Sequence, residues 1–594
     1  MNKRIEPHTF HIPVMGIGFS IDTPIRVAQY GITSTISLID DGLIEKMRKF
    51  YCNKFNITFE PIPINTDDYR AKRITAYLNL VNIIVKQKFE ELKNAVETKT
   101  KELQKYFEML PDSCWLKKKF EDIRNKFNTT ELKNWLNVNL IAGSIDVNIM
   151  TKIDKDNYNG DIKLPIEFND AHAAFRGFAN SNLSSSMVLS AGMNPHLYNY
   201  IEKFDDFYPD ENGKFKKKIT LKVSDYRSAL IQGKYLAKKG IWVSEYRVES
   251  GLNCGGHVYV SQGSLMGPVL EEFKQNREEL VKSIYEILIS ALKLKNKIIP
   301  NKPPDIKISV QGGVGTHNEH EFLLNYYNVD SVGWATPFLL VPEVTNVDEE
   351  TIMLLQSAKE DDLYLSNISP YGILFNNLRN NTKDLEQQKL VAQGIPGSPC
   401  IKRYGAFNSY FGKQMCTGSR KYQNKKIEEL QSQNLDKKTY EIEYNKIVEK
   451  VCICVGLGTA VLKKNNLPFI DEGKGVSVCP GPDMAYFSKV LSLQEMVSHI
   501  YGKTNVIERT DRPHFFVKEL HLNIKYFKNK LQENSYSFSK KETQRLKMLK
   551  QCLLDGISYY NDLYSNNVVD STQITQLSLA ELINCKNKIN EIIL

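Results

Sequence analysis

Hydrophobic and polar positions change their period several times along the chain. Residues Ile12 to Asp40 alternate short apolar pieces with Gly16, Gly18 and Gly31, then give the β-rich run Thr33 to Ile39 ahead of Asp40 and Asp41. This predicts strand, glycine loop, short helix, strand. From Tyr69 to Leu110 the period becomes helical, with Leu78, Leu80, Val81, Ile84, Val85, Phe89 and Leu92 on one face before a Lys/Glu-rich continuation that Pro111 ends. The pattern is that of a long amphipathic helix or helical pair inserted into an α/β unit. Asp112 to Asn137 is charged and helix-like, and Leu140 to Ile153 alternates like a strand.

Between Ala171 and Val341 the alternation becomes regular. Strands are predicted at Ser186–Ala191, Ile219–Val223, Trp242–Glu249, Ile306–Val310 and Ser331–Trp334, separated by helices at Asp225–Lys239, Gly267–Lys295 and Asn318–Tyr327. Strands alternating with helices of this length imply parallel β-α units. Eight of them close a (β/α)8 TIM barrel, with an open doubly wound sheet as the alternative topology. After Leu378 the regularity stops: a polar loop with Asn376, Asn377, Asn380 and Asn381 precedes a Gly/Pro cluster at Gly394, Pro396, Gly397 and Pro399. The resulting division is a first part of the barrel at 1–45, a helical insertion at 46–138 and the remainder of the barrel at 139–385. A cysteine-bearing region follows at 386–485, and a helical C-terminal cap at 486–594.

Composition narrows the class. With 594 residues, 42% hydrophobic and 25% charged, the chain has material for a large core and is too long for one minimal domain. The net charge of +9, from 78 Lys and Arg against 69 Asp and Glu, is dispersed over short stretches such as Lys214–Lys218 and Lys540–Lys550, which argues against a nucleic-acid partner. No run reaches the ~18–20 uncharged apolar residues of a membrane span; Leu280–Leu294 is interrupted by Lys282, Glu286 and Lys293. Met1 to Pro13 carries charges and histidines where a signal peptide is apolar, so the expectation is a cytoplasmic protein without a membrane partner. Ten cysteines in a reducing compartment are thiols or ligands before they are disulfides.

Two motifs carry chemistry. Gln311-Gly312-Gly313-Val314-Gly315-Thr316 follows one strand, and Asp330-Ser331-Val332-Gly333-Trp334-Ala335-Thr336 follows one β-α unit later. In a parallel barrel the amides of the loops after the last two strands form a phosphate cradle, and glycine lets the phosphate come close. A plain strand-to-helix turn explains the first motif alone, but not the pair. The second motif, Glu249-Ser250-Gly251-Leu252-Asn253-Cys254-Gly255-Gly256-His257, sets a carboxylate and then a histidine at a strand end. His257 is the side chain there that titrates near neutral pH, suited to proton abstraction or donation. Cys254 shows no feature that would make it a nucleophile.

The order Pro13-Val14-Met15-Gly16, Lys222-Val223-Ser224, Glu249 through His257, Gly312 to Thr316 and Gly333 to Thr336 resembles the nitronate monooxygenase (2-nitropropane dioxygenase-like) family. The FMN-dependent enoyl-acyl-carrier-protein reductases share this pattern. The resemblance spans about Pro13 to Glu343 without the helical insertion, and implies an FMN-binding barrel. It places the flavin phosphate on Gly312, Gly313, Gly315 and the turn Gly333, Trp334, Ala335, Thr336, with the ring over Met15 and Gly16. Lys222 then lies near the flavin pyrimidine, where a cation stabilises reduced flavin. Glu249, Gly255, Gly256 and Thr316 complete the cofactor set, and His257 inherits the acid/base role. The activity implied is oxidation of a nitronate-like carbanion, with reduction of an enoyl thioester by NAD(P)H or a protein electron donor as the alternative. The substrate is accordingly a small molecule or an acyl thioester. The long post-barrel region is similar to the larger enoyl reductases of polyunsaturated fatty acid synthases.

Cys400, Cys416, Cys452 and Cys454 lie within 55 residues, among glycines and prolines, and Cys479 follows. Their spacing fits no standard zinc finger or ferredoxin motif, so three readings stay open: a [4Fe–4S] cluster beside the flavin, structural zinc, and unliganded buried thiols. A rival from another class is a barrel scaffold without enzymatic activity that binds RNA through its C-terminal helices.

Overall fold

The computed structural model describes residues 6–94, 101–190, 192–258, 264–399, 402–469, 473–533, 539–566 and 572–592. Its centre is a ring of eight parallel strands: β1 (Phe10–His11), β2 (Ser34–Ser37), β3 (Ile145–Ile149), β4 (Ser186–Leu189), β5 (Lys218–Val223), β6 (Val243–Glu249), β7 (Lys307–Gln311) and β8 (Ser331–Gly333). Neighbours run β1-β8-β7-β6-β5-β4-β3-β2. The ring closes because Ile12, just past β1, bridges Ser34 in parallel and donates its amide to the Thr33 carbonyl at 2.9 Å. An open doubly wound sheet would leave two unpaired edges here, so the architecture is the closed (β/α)8 barrel.

Alternation along the strands explains which residues face inward. In β6, Glu245, Arg247 and Glu249 point into the barrel while Tyr246 and Val248 pack outward. The barrel interior is therefore polar below the mouth: Arg247 donates to Glu245 at 2.8 Å and Ser309 donates to the same carboxylate. Burial opposes ionisation of Glu245, but Arg247 and its neighbours hold the carboxyl at about 2. The register pairs His11 with Gly333, Gly333 with Gln311 and Gln311 with Glu249, which sets these four at one level around the ring.

Helices cover the outside. After α1 (Thr23–Val27), the β2–β3 connection holds α2 (Asp41–Lys54), α3 (Tyr69–Asn94), α4 (Lys101–Glu108), α5 (Trp115–Ile123) and α6 (Thr129–Asn139), and the helical insertion expected at 46–138 falls within it. The remaining β-α units bring α7 (Asp170–Ala179), α8 (Pro195–Ile201), α9 (Tyr226–Lys238), α10 (Met266–Leu294) and α11 (His317–Tyr326). Leu280, Ile284 and Leu288 of α10 are fully buried at helical spacing, each contributing about 1.5–3 kcal/mol of hydrophobic stabilisation.

Past the barrel lie α12 (Glu349–Ser357), an antiparallel hairpin of β9 (Leu363–Ser366) and β10 (Phe375–Leu378), and α13 (Thr382–Ala392). The expected polar loop at Asn376 and Asn377 is in fact buried strand, with Asn376 Nδ2 donating to the Cys254 carbonyl and Asn377 Nδ2 donating to Asp384 at 2.7 Å. Then come α14 (Arg420–Gln431), α15 (Lys437–Val448), α16 (Ile453–Lys464) and the terminal helices α17 (Leu493–Ile500), α18 (Phe515–Glu533), α19 (Lys540–Ser565) and α20 (Thr572–Asn590). One continuous apolar core runs from the barrel into α16 and the terminal helices. Among the described residues no helix is long and apolar enough to cross a membrane.

Candidate functional site

The C-terminal ends of the strands open into one cavity of about 1490 Å3 of empty space, its open mouth included. Lys222 from β5 and Glu249 from β6 meet across neighbouring strands at 2.7 Å, and Gln311 Nε2 of β7 donates to the other Glu249 oxygen at 2.8 Å. Their inward direction follows from the alternation that also buries Arg247 beneath them. Two strands along the ring from Lys222, Asn148 of β3 is buried, and its Oδ1 has no protein partner. Leaving a buried acceptor unpaired costs about 1–3 kcal/mol, so this wall is built for a ligand donor or a water.

The residues expected at the cofactor site come largely together. Met15 and Gly16 line the cavity from the loop after β1, and Gly255, Gly256 and His257 from the turn after β6. Gly312 and Gly313 line it after β7, and Gly333, Ala335 and Thr336 after β8. Among the described residues, the amides of Gly313, Val314, Ala335 and Thr336 find no protein acceptor, and all four residues line the same cavity from two adjacent loops. Gly313 has φ +84°, and a Cβ there would lie 1.9 Å from Asn253 Nδ2. Glycine is thus required by the turn packed behind the loop as well as by any ligand in front.

Three expected residues sit elsewhere. The Gly315 and Thr316 amides are already taken by Glu319 Oε2, at 2.9 and 3.2 Å. Thr316 is the N-cap of α11, closing a capping box with Glu319; the helix start is thus filled by the protein's own carboxylate. Trp334 turns away from the cavity, where its Nε1 donates to His320 Nδ1 at 3.2 Å and its ring meets His499 edge-on.

The roof of the cavity belongs to the post-barrel region. Tyr371 and Phe375 come from the β9–β10 hairpin, Ile453, Cys454 and Leu457 from α16, and Cys479, Pro480 and Asp483 from the segment beyond. The Gly255-Gly256 pair answers to this roof: Gly256 donates its amide to the Cys479 carbonyl at 3.2 Å, and a Cβ on Gly255 would lie 2.4 Å from that oxygen. His257 Nε2 bonds Ser369 Oγ at 2.9 Å, and its ring packs on Tyr371 and Phe375 at centroid distances of 5.4 and 5.0 Å. Burial lowers its pKa to about 4. The imidazole is therefore neutral at pH 7, able to accept a proton or donate a hydrogen bond, and it is not the near-neutral titrating group that its type suggested.

The thiols behave as buried groups. Burial pushes Cys254 well above the usual thiol range and Cys479 up to about 12, which leaves neither as a thiolate. Cys452 and Cys454 are buried at the start of α16 with sulfurs 3.8 Å apart, and Cys416 is half-buried. Cys400 lies outside the described residues. Among the described residues no group of three or more His, Cys, Asp or Glu could hold a metal ion. The expected iron–sulfur or zinc site on Cys400, Cys416, Cys452 and Cys454 therefore gains no support.

No protein-family model matches the chain, and no curated protein does. Among solved structures it is similar to FabK from Thermotoga maritima, at 13% identity over 63% of this chain and 79% of that one, TM-score 0.31. It is similar to the enoyl reductase domain of MlnA from the macrolactin biosynthesis cluster of Bacillus amyloliquefaciens, at 12% identity, 64% and 86% coverage and TM-score 0.33. Nitroalkane oxidase from Streptomyces ansochromogenes gives 9% identity, 63% and 84% coverage and TM-score 0.29. Likeness at this level assigns no activity, and function has to be read from the site's own residues.

Proposed function

We propose that the chain is an FMN-dependent oxidoreductase of the nitronate monooxygenase-like class. The observation that carries this reading is the pair of loops after β7 and β8: Gly313, Val314, Ala335 and Thr336 line the cavity together with Lys222 and Asn148, and among the described residues their amides have no protein acceptor. Those groups suit a ligand with a phosphate at one end and a hydrogen-bonding ring edge at the other. The amides would hold the phosphate. Asn148 Oδ1 would accept from a ring N–H, and Lys222 would set a positive charge beside the ring. Bound FMN would supply the two-electron chemistry.

His257 lines the same cavity, from the turn after β6. As a neutral imidazole anchored by Ser369, it is prepared to take a proton from a carbon acid or to hold a substrate oxygen. The roof from the hairpin and α16 would exclude water from the reacting atoms. Because burial keeps the imidazole neutral, His257 holds no proton in reserve as an imidazolium, and its part in either activity is to hydrogen-bond the substrate or to accept a proton as a weak base. Enoyl-thioester reduction by NAD(P)H is the competing activity. Anaerobic mixing of the FMN-loaded protein with an alkyl nitronate or with NAD(P)H separates the two. Flavin bleaching by the nitronate supports the oxidative reading, and bleaching by NAD(P)H alone replaces it with the reductase.

A further inference from the structure

A cradle of amides works only if each peptide plane is held in the right orientation, and glycine loops do not hold themselves. The loop Gly312–Gly315 is clamped from behind by Arg512, a residue between α17 and α18 in the C-terminal cap. Arg512 Nη2 donates to the Gly313 carbonyl at 2.7 Å. Its Nη1 pairs with Glu319 Oε1 at 2.7 Å, the same carboxylate whose other oxygen accepts the Gly315 and Thr316 amides. Asp483 lies 3.3 Å from Nη2 and is itself held by Lys518 at 2.9 Å. The guanidinium is 5% exposed and does not line the cavity. A Cβ on Gly315 would lie 2.8 Å from it, so glycine at position 315 makes room for Arg512 and not for a ligand.

The geometry has a direct consequence. In a planar trans peptide the carbonyl of one residue and the N–H of the next point in opposite directions. With the Gly313 carbonyl fixed on Arg512, the Val314 N–H is aimed away from Arg512, and Val314 lines the cavity. We infer that Arg512 is the positioning residue of the phosphate cradle, so that the C-terminal cap, and not the barrel alone, makes the site select a phosphate-bearing flavin. This rests on the proposed FMN site.

The roles of Arg512 in binding and in folding are separable by comparing FMN with riboflavin, which has the same ring system and no phosphate. Arg512→Lys keeps a charge beside Glu319 but lacks the second arm that reaches Gly313. The double variant Arg512→Gln/Glu319→Gln removes the buried charges together, which avoids stranding either one. In both, the affinity for FMN, read by flavin fluorescence quenching, should fall about tenfold, the worth of one well-placed hydrogen bond, while the affinity for riboflavin stays unchanged. A parallel fall for both flavins, or FMN binding at the level of the unaltered protein, overturns the assignment to Arg512. Binding of neither flavin by the unaltered protein removes the FMN reading itself, and the inference with it.

Discussion

Lys222 Nζ lies 2.7 Å from Glu249 Oε2 at the mouth of the barrel, where β5 and β6 end side by side. The pair is largely buried, with 17% and 19% of the two side chains exposed, and Gln311 fixes the carboxylate from the third strand. The ammonium balances the Glu249 carboxylate in the wall of the cavity, and removing it would leave an uncompensated anion beside a flavin, which disfavours the reduced form. Replacing Lys222 with Met should lower the two-electron potential of bound FMN by roughly 30 mV or more, the equivalent of about 1.4 kcal/mol. Potentiometric titration against a reference dye measures this. An unchanged potential would separate Lys222 from the flavin.

His257→Ala removes the imidazole but none of the amides of the cradle. Flavin content, read from the visible spectrum, should remain, while turnover falls on the order of 10²-fold or more, the usual contribution of a general base. Turnover equal to that of the unaltered protein would take His257 out of the mechanism.

Gly313→Val has to fail at two levels, because the loop is left-handed at this position and Asn253 Nδ2 stands 1.9 Å from the required Cβ. The loop must move, and the Val314 amide moves with it. The protein should then be purified without flavin and stay colourless when FMN is added. Full FMN occupancy in this variant would show that the glycine loop does not hold the phosphate.

Acid should weaken the fold well before the carboxylates are neutralised. Burial lowers the imidazoles of His8, His257 and His514 to about 4 and that of His320 to about 3, against about 6.5 in the unfolded chain. The unfolded state takes up these protons first, so the contribution to stability is complete above pH 6.5 and is lost as the pH falls toward 4. Glu519, raised to about 7 by burial, acts in the opposite sense, as do the raised carboxyls of Asp146, Glu272 and Asp384, but burial lowers His11, His499 and His521 as well. The urea midpoint should drop between pH 7 and pH 5; a constant midpoint would mean that these histidines are not held neutral.

The barrel was legible because its signals are local. Alternation in Val243–Glu249 and the glycines after β7 and β8 mark strand ends whatever surrounds them, and the cavity-lining residues from these segments are named by the motifs themselves. What the motifs could not show is which amides the protein keeps for itself. Thr316 with Glu319 is a capping box readable from spacing, and recognising it would have withdrawn Gly315 and Thr316 from the cradle. The roof and the clamp depend on long-range contacts: Cys479 lies on Gly255, Leu457 takes the Gly18 amide, and Arg512 reaches Gly313 from about 200 positions away. No periodicity near Arg512 or Tyr371 announces these contacts. The cysteine cluster left three readings open in the sequence, and among the described residues, which do not include Cys400, the metal-binding ones gain no support.

The most direct test of the account is the flavin itself. Purified protein stripped of small molecules should bind FMN in a one-to-one complex, with the flavin absorbance bands perturbed and the fluorescence quenched, and should bind it more tightly than riboflavin. A protein that stays colourless in excess FMN and shows no quenching would contradict the central claim.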